Sequence, residues 1–235
     1  MPTKRVIISN TIICCVLLVL TYLTLNLDVG KTYLTVSAPV SNGNRASNQV
    51  ALMFIVDDPA TVDNLSTIMS TLTNAQVQAT FFIAGQIIPQ HLDVIQPLGQ
   101  QFELGNYGFN GTALNLADKQ TITDQIALCD AIITKFAKQP VRYFTPPAEL
   151  FNKNTLAMAE QLGYRTILPT NRKITLNWQT ANTSLITAYA TQDTQAGDIV
   201  LLHPTTATTQ VLAQIIATFS MRDLHVTSVG QLLSA

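Results

Sequence analysis

Charged residues are scarce in this chain of 235 residues. They make up 11% of the sequence, whereas an average globular domain has roughly 25%. Acidic and basic residues nearly balance, at a net charge of -1, and the basic ones form no stripe. Because nucleic-acid binding needs clustered lysine and arginine, we expect no nucleic-acid partner. The resulting neutral, polar surface would suit a neutral sugar polymer.

Cysteine is also rare, with three in the whole chain. Cys14 and Cys15 lie in an N-terminal apolar run, which leaves Cys129 as the only cysteine that follows it. No Cys-x-x-Cys pair suggests a zinc site, and Cys129 has no partner for a disulfide within the same domain. Its neighbours Ile126 and Ile133 recur at helical spacing, so we expect Cys129 to be a small core residue.

One long apolar run stands out at the N-terminus. Residues 6–27 carry no charge, follow Lys4 and Arg5, and end at Asp28. A helix of that length reaches across the roughly 30 Å hydrocarbon core of a bilayer. The basic pair predicts a cytoplasmic terminus at residues 1–5 and a single-pass anchor in the cell membrane, with the rest of the chain extracytoplasmic.

A cleaved signal peptide is the alternative to an anchor. Its apolar region would be shorter and would end at a small-x-small site, for which residues 36–38 are a distant candidate. Residues 28–49 follow the apolar run, and their Ser/Asn/Gly-rich end predicts a flexible linker.

From residue 50 to residue 235, short apolar runs alternate with longer helical patterns. The run at 50–56 is continuous, as in a strand that is buried on both faces. Strands that alternate with helices predict an α/β domain with a parallel sheet. About seven such units favour a distorted (β/α) barrel, in which chemistry gathers at the carboxyl ends of the strands.

Several polar residues stand at those predicted strand ends. Asp57 and Asp58 are adjacent carboxylates, which raise each other's pKa unless a cation or a hydrogen-bond donor compensates. They would serve either a metal or catalytic site, or a helix N-cap before Val62. His203 follows the apolar strand at 199–202 and is either a group for proton transfer or a histidine hydrogen-bonded within the core.

Five segments, in order, resemble the polysaccharide deacetylase (NodB-homology) family, which is carbohydrate esterase family 4. The likeness extends from residue 50 to residue 235. The matching segments are residues 56–59 (Val-Asp-Asp-Pro), 78–85 (Gln-Ala-Thr-Phe-Phe-Ile-Ala-Gly), 103–111 (Glu-Leu-Gly-Asn-Tyr-Gly-Phe-Asn-Gly), 143–147 (Tyr-Phe-Thr-Pro-Pro) and 197–203 (Gly-Asp-Ile-Val-Leu-Leu-His).

The resemblance implies a role for each matching position. Asp57 would be the catalytic base, Asp58 a weak metal ligand and His203 the general acid. We expect Tyr107, Thr145, Pro146 and Pro147, which lie in the matching segments, to contact the substrate. Its cofactor is a divalent metal, usually zinc, which polarises an acetamide carbonyl and activates a bound water.

The chain departs from the family at the positions that bind the metal. The family's two metal-binding histidines fall on Tyr107 and Gly111, and its supporting arginine falls on Thr145. Because a catalytic zinc site keeps three protein ligands, we expect no metal here, or one that binds weakly.

The sequence therefore leaves two main hypotheses. The first is a degenerate deacetylase-like protein of the cell envelope, a pseudoenzyme that binds glycan or has a structural role. The second is an active N-deacetylase of peptidoglycan or a chitin-like polymer, which hydrolyses acetamide C–N bonds. An N-acetylated polysaccharide is the expected partner in either case. A third hypothesis is a non-hydrolytic protein that binds a partner unrelated to sugars.

Overall fold

The computed structural model describes residues 36–137, 140–170 and 180–235, together with Val16, Leu17 and Val19. Apart from those three residues, which are helical, the predicted anchor at 6–27 lies outside the described residues. Of the helices within these ranges, none is both long and apolar enough to cross a membrane. The residues from 36 to 235 form one unit, and residues 1–35 form another.

Seven parallel strands form a single sheet in the second unit. The order is β5-β4-β3-β2-β1-β6, and β7 pairs with the start of β1. The prediction of a parallel α/β domain is confirmed, in the form of a half-barrel. The strands are β1 (Gln49–Val56), β2 (Thr80–Ile83), β3 (Glu103–Asn106), β4 (Tyr143–Phe144), β5 (Arg165–Thr166), β6 (Ile199–Leu202) and β7 (His225–Thr227).

Helices cover the sheet and bury their apolar faces against it. The helical spacing of Ile126 and Ile133 around Cys129 is confirmed by the helix Lys119–Ala137, in which Cys129 is fully buried. A helix at Thr183–Thr191 was not predicted, because it is rich in threonine and only Ile186, Ala190 and Thr191 are buried. The helices are α1 (Leu65–Asn74), α2 (Leu92–Gln101), α3 (Lys119–Ala137), α4 (Lys153–Gln161), α5 (Thr183–Thr191), α6 (Thr206–Met221) and α7 (Val229–Leu232).

Residues 36–48 pack against the sheet, although they belong to the predicted flexible linker at 28–49. Val40 accepts a backbone hydrogen bond from Leu168 at 2.9 Å, just beyond β5. Gly43 donates one to Gly197 at 2.7 Å, just before β6, and Arg45 forms a 2.5 Å ion pair with Asp198. Exposed strand edges carry unpaired N–H and C=O groups. This segment supplies hydrogen-bond partners to backbone groups at the ends of β5 and β6, the two outer strands.

Candidate functional site

The strand register brings the polar residues of four strands to one end of the sheet. Val56, Ile83, Asn106 and Phe144 lie level across β1 to β4. The residue after each of these strands therefore emerges at the same edge. Phe54 is level with Leu202, so His203, the next residue, lies beside the carboxyl end of β1.

A cavity of about 640 Å³ opens at this edge. It contains six of the positions that the sequence singles out: Asp57, Asp58, Tyr107, Thr145, Pro146 and His203. Gly111 also lines it. Pro147 does not, and is instead buried at the start of the short turn Pro147–Glu149.

The two adjacent carboxylates have different surroundings. Asp58 is exposed, and its Oδ1 accepts a hydrogen bond of 2.9 Å from the backbone N–H of Ala60. It thereby caps the 3-10 helix Pro59–Asn64, as the N-cap alternative anticipated. Asp57 is half-buried, and its pKa is raised by burial and by the neighbouring charge of Asp58.

Tyr107 is 5% exposed and lies across the cavity wall. Its hydroxyl oxygen accepts a hydrogen bond of 3.0 Å from the backbone N–H of Ala148. Burial raises the pKa of the Tyr107 phenol, and the charges of Asp57 and Glu149 raise it further. Tyr107 is therefore a neutral group that ties the end of β3 to the loop after β4.

Gly111 lies close to the side chain of Asp57. A Cβ atom added to Gly111 would lie 3.6 Å from the Cβ of Asp57 and 3.6 Å from Cε1 of Tyr107. Its φ of +69° is one that residues with side chains rarely adopt. The two positions where the resemblance places metal-binding histidines therefore both lie near Asp57.

These residues do not fit a zinc ion. A catalytic zinc site needs three ligands from nitrogen, sulfur or carboxylate groups. Tyr107 is neutral and hydrogen-bonded, and Gly111 has no side chain. Across residues 36–137, 140–170 and 180–235, no cluster of three or more His, Cys, Asp or Glu side chains is placed to hold a metal.

His203 is half-buried and lines the same cavity. Burial lowers the pKa of its imidazole to about 4. At neutral pH the side chain is therefore uncharged, and the imidazolium form, which is the stronger general acid, is scarce.

Two features of the site escape the sequence patterns. The loop after β4 contributes Ala148, Glu149 and Leu150 to the cavity, and the first two have left-handed φ values of 55° and 58°. At the end of β3, the fully buried Asn106 accepts a 2.8 Å hydrogen bond from the N–H of Gly108. The sequence signals for Asn106 are its place at the end of a predicted strand and in the matching segment 103–111, and neither reveals these hydrogen bonds.

Comparisons with known proteins point to one family. The profile described as "Polysaccharide deacetylase" matches residues 42–167. A peptidoglycan-N-acetylglucosamine deacetylase of Bacillus cereus is 23% identical over 192 residues, which cover 80% of this chain and 90% of that protein. An uncharacterized Bacillus subtilis protein, YlxY, is 22% identical over 83% of this chain. The chain spans 60% of the length of YlxY.

Solved structures agree with this fold. A wild-type pseudoenzyme of carbohydrate esterase family 4 from Bacillus anthracis superposes with a TM-score of 0.79 at 25% identity, over 83% of this chain and 68% of that one. A mutant of that pseudoenzyme with restored enzymatic activity has the same TM-score at 24% identity, over 83% and 71% of the two chains. A family 4 carbohydrate esterase from the same organism gives 0.69 at 20% identity, over 87% and 93%.

Proposed function

The chain belongs to the polysaccharide deacetylase family, and from that premise we propose that it binds glycan at the cell envelope without hydrolysing it. The observation that carries the proposal is the pair Tyr107 and Gly111. One is a hydrogen-bonded phenol and the other has no side chain, at the two positions where the resemblance places metal ligands.

The remaining groups are poorly suited to amide hydrolysis. Attack on an acetamide needs an activated water and a stabilised oxyanion. Asp57 could still accept a proton, but His203 is neutral at pH 7, with a pKa of about 4. Thr145, which stands where the resemblance places an arginine, carries no charge to steady the Asp57 carboxylate.

The cavity itself supports ligand binding. Its walls include rigid apolar groups, Pro146, Leu150 and Pro169, beside the polar groups of Asp57, Asp58 and His203. Sugar rings present both C–H faces and hydroxyl groups, so they need walls of both kinds. A cavity of about 640 Å³ lies within the range of roughly 300–1,000 Å³ that ligand pockets occupy.

An active N-deacetylase is the second candidate. The observation in its favour is that Asp57 and His203 line the same cavity, as a base and an acid on one substrate would. That candidate requires a rearranged metal site or an activator that is independent of Tyr107 and Gly111.

Elemental analysis and acetate release separate the two candidates. We expect the purified full-length chain, equilibrated with zinc and then desalted, to retain well below one zinc per chain. We also expect no acetate release from N-acetylglucosamine oligomers or peptidoglycan, while the chain still binds one of them. Stoichiometric zinc together with acetate release that Asp57→Asn abolishes would establish the active enzyme instead.

The cellular location is a separate proposal. The uncharged run at 6–27 supports an uncleaved membrane anchor that holds residues 36–235 outside the cytoplasm. In fractionated cells, the full chain should stay in the membrane pellet after alkaline extraction, and a variant without residues 6–27 should not. A mature chain that begins near residue 38 would show a cleaved signal peptide.

A further inference from the structure

A groove of about 550 Å³ lies at the amino ends of β2, β3 and β4. The described residues that line this amino-end groove include Gln78, residues 100–104, Arg142, Tyr143, Ser228, Gly230, Gln231 and Ser234. The cavity described above holds Asp57 and His203, which follow the carboxyl ends of β1 and β6. Because the strands are parallel, the two depressions lie at opposite ends of the sheet.

Hydrogen bonds hold together three of the elements around the groove. The hydroxyl of the fully buried Thr80 donates to the carboxylate of Glu103 and accepts a 2.8 Å bond from the N–H of Val229. Oε2 of Glu103 also accepts a 2.9 Å bond from the N–H of Gly230. A Cβ atom on Gly230 would overlap Oε1 of Glu103, so the carboxylate packs closely on α7. These contacts fix β2, β3 and α7 before a ligand arrives, which lowers the entropy cost of binding.

Six residues that line the groove carry uncharged groups that both donate and accept hydrogen bonds. They are Gln78, Gln100, Gln101, Ser228, Gln231 and Ser234. Ser228 and Gln231 cap α7 with their side chains, so we assign ligand contact to the other glutamines. A side-chain amide offers a carbonyl oxygen and an NH₂ group together. The hydroxyl groups of a sugar also donate and accept, so the two kinds of group match each other.

Tyr143 and Arg142 complete the surface that a sugar ring needs. Tyr143 is half-buried at the start of β4, and an aromatic ring provides a flat apolar surface with one polar end. The exposed Arg142 carries a guanidinium with five N–H donors, which can bind hydroxyl or acetyl carbonyl oxygens. Arg142 and Glu103 have opposite charges, so these two residues do not favour a charged ligand of either sign.

We propose that the amino-end groove is a second binding site for the neutral, hydroxyl-rich backbone of a polysaccharide, with Gln100, Gln101, Arg142 and Tyr143 as its main contacts. The inference takes its ligand from the proposed glycan-binding function and adds a site to it. The volume of about 550 Å³ lies within the range of roughly 300–1,000 Å³ for ligand pockets. Because the two sites lie at opposite ends of the strands, separate short oligomers would occupy them.

Calorimetric titration of the purified full-length chain with a short N-acetylglucosamine oligomer tests this proposal. We expect about two oligomers to bind per wild-type chain. Gln101→Ala and Arg142→Ala, both at exposed positions, should each weaken one of the two binding events roughly fivefold, as the loss of one hydrogen bond allows. The double variant should bind about one. Gln161→Ala is the matched control, because Gln161 is the exposed last residue of α4 as Gln101 is of α2.

Nuclear magnetic resonance locates the binding event on the same chain. The side-chain amide signals of Gln100 and Gln101 should shift when the oligomer is added, and the signal of Gln161 should not. Asp57→Asn, which alters the cavity at the other end of the sheet, should leave the shifts at the two groove glutamines unchanged.

The outcomes separate the second site from the proposed function. One oligomer per chain in both the wild type and the double variant, without shifts at Gln100 and Gln101, would overturn the second site and leave glycan binding at the cavity standing. Binding at the amino-end groove alone would support the second site and overturn the cavity as a glycan site. Failure of the wild type to bind any oligomer would overturn both.

Discussion

The phenolic oxygen of Tyr107 accepts a 3.0 Å hydrogen bond from the backbone N–H of Ala148. This bond joins the end of β3 to a loop in which Ala148 and Glu149 both hold left-handed φ angles. Residues without a glycine's freedom adopt that conformation only when their surroundings enforce it. We infer that Tyr107 holds the loop, and with it the carboxylate of Glu149, against the cavity.

Tyr107→Phe removes this bond with little change in shape. We expect the free energy of unfolding to fall by about 1 kcal/mol, and the amide of Ala148 to exchange its hydrogen faster. Urea unfolding and hydrogen exchange measure the two effects. Tyr143→Phe is the matched control, since Tyr143 lines a different surface groove. Unchanged exchange at Ala148 would show that the loop holds its conformation without the tyrosine.

The overall fold could be predicted because its strands are chemically distinctive. Residues 50–56 are apolar at every position and are all buried in β1. Parallel strands end at a common edge, so Asp57, Tyr107 and His203 could be placed together from their positions after apolar runs. The structure brings all three to one cavity.

Other parts of the site depend on contacts between distant segments, which leave no periodic pattern. The Ser/Asn/Gly-rich residues 41–48 have the composition of a linker, yet Gly43 and Arg45 bind the start of β6. Glu149 lines the cavity and has a left-handed backbone conformation, which no short sequence motif predicts. Asp58 could be assigned either to a cap or to a metal, and spacing alone did not decide between them.

Replacing Tyr107 and Gly111 with histidine should raise the affinity for zinc well above that of the wild type. A side chain at position 111 would start 3.6 Å from the Cβ of Asp57, so it would face the carboxylates. With Asp58, the double variant would have the three protein ligands that a zinc site requires. Zinc titration by calorimetry measures the gain.

The histidine at position 111 should lower the stability of the double variant, because the backbone there has a left-handed conformation. The φ angle of Gly111 is +69°. A residue with a Cβ in this conformation lowers the free energy of unfolding by about 1–2 kcal/mol. Gly111→Ala isolates the strain because it adds no ligand. If the double variant folds as stably as Gly111→Ala and still binds zinc no better than wild type, the two positions do not form a metal site in this chain.

Asn106 links the end of β3 to α3 and to the loop between them. Its side-chain amide donates to the backbone oxygen of Ile126 at 2.8 Å and to the hydroxyl of Tyr164 at 3.2 Å. Its Oδ1 accepts from Gly108, at the start of the loop that carries Gly111. The side chain thus fixes the loop between β3 and α3.

Asn106→Ala leaves several buried polar groups without partners. We expect a loss of about 2–4 kcal/mol in urea unfolding, because each buried unsatisfied group costs about 1–3 kcal/mol. Tyr164→Phe keeps most of the network and should cost about 1 kcal/mol. Asn74→Ala, at an exposed position at the end of α1, is the control and should be nearly neutral. A loss as small as the control's would mean that water replaces the amide.

His203 should make the folded protein sensitive to mild acid. Burial lowers the pKa of its imidazole from 6.5 to about 4, so between these values the unfolded chain takes up a proton that the folded chain does not. Stability therefore rises with pH across this window and is lost as the pH falls from 6.5 towards 4. This pKa shift corresponds to at most about 3 kcal/mol in the free energy of unfolding. Because His203 is only half-buried, solvent screening makes the actual contribution smaller.

His203→Gln removes this titration. The measured quantity is the difference in the free energy of unfolding between wild type and variant, taken from urea unfolding at pH 7, 6, 5 and 4. We expect the wild type to lose stability relative to the variant as the pH falls, because glutamine stays neutral in both states. His225→Gln, at an exposed position on β7, should show no such trend. A difference that stays constant from pH 7 to pH 4 would mean that the pKa of His203 is the same in the folded chain as in the unfolded one, and that burial does not lower it.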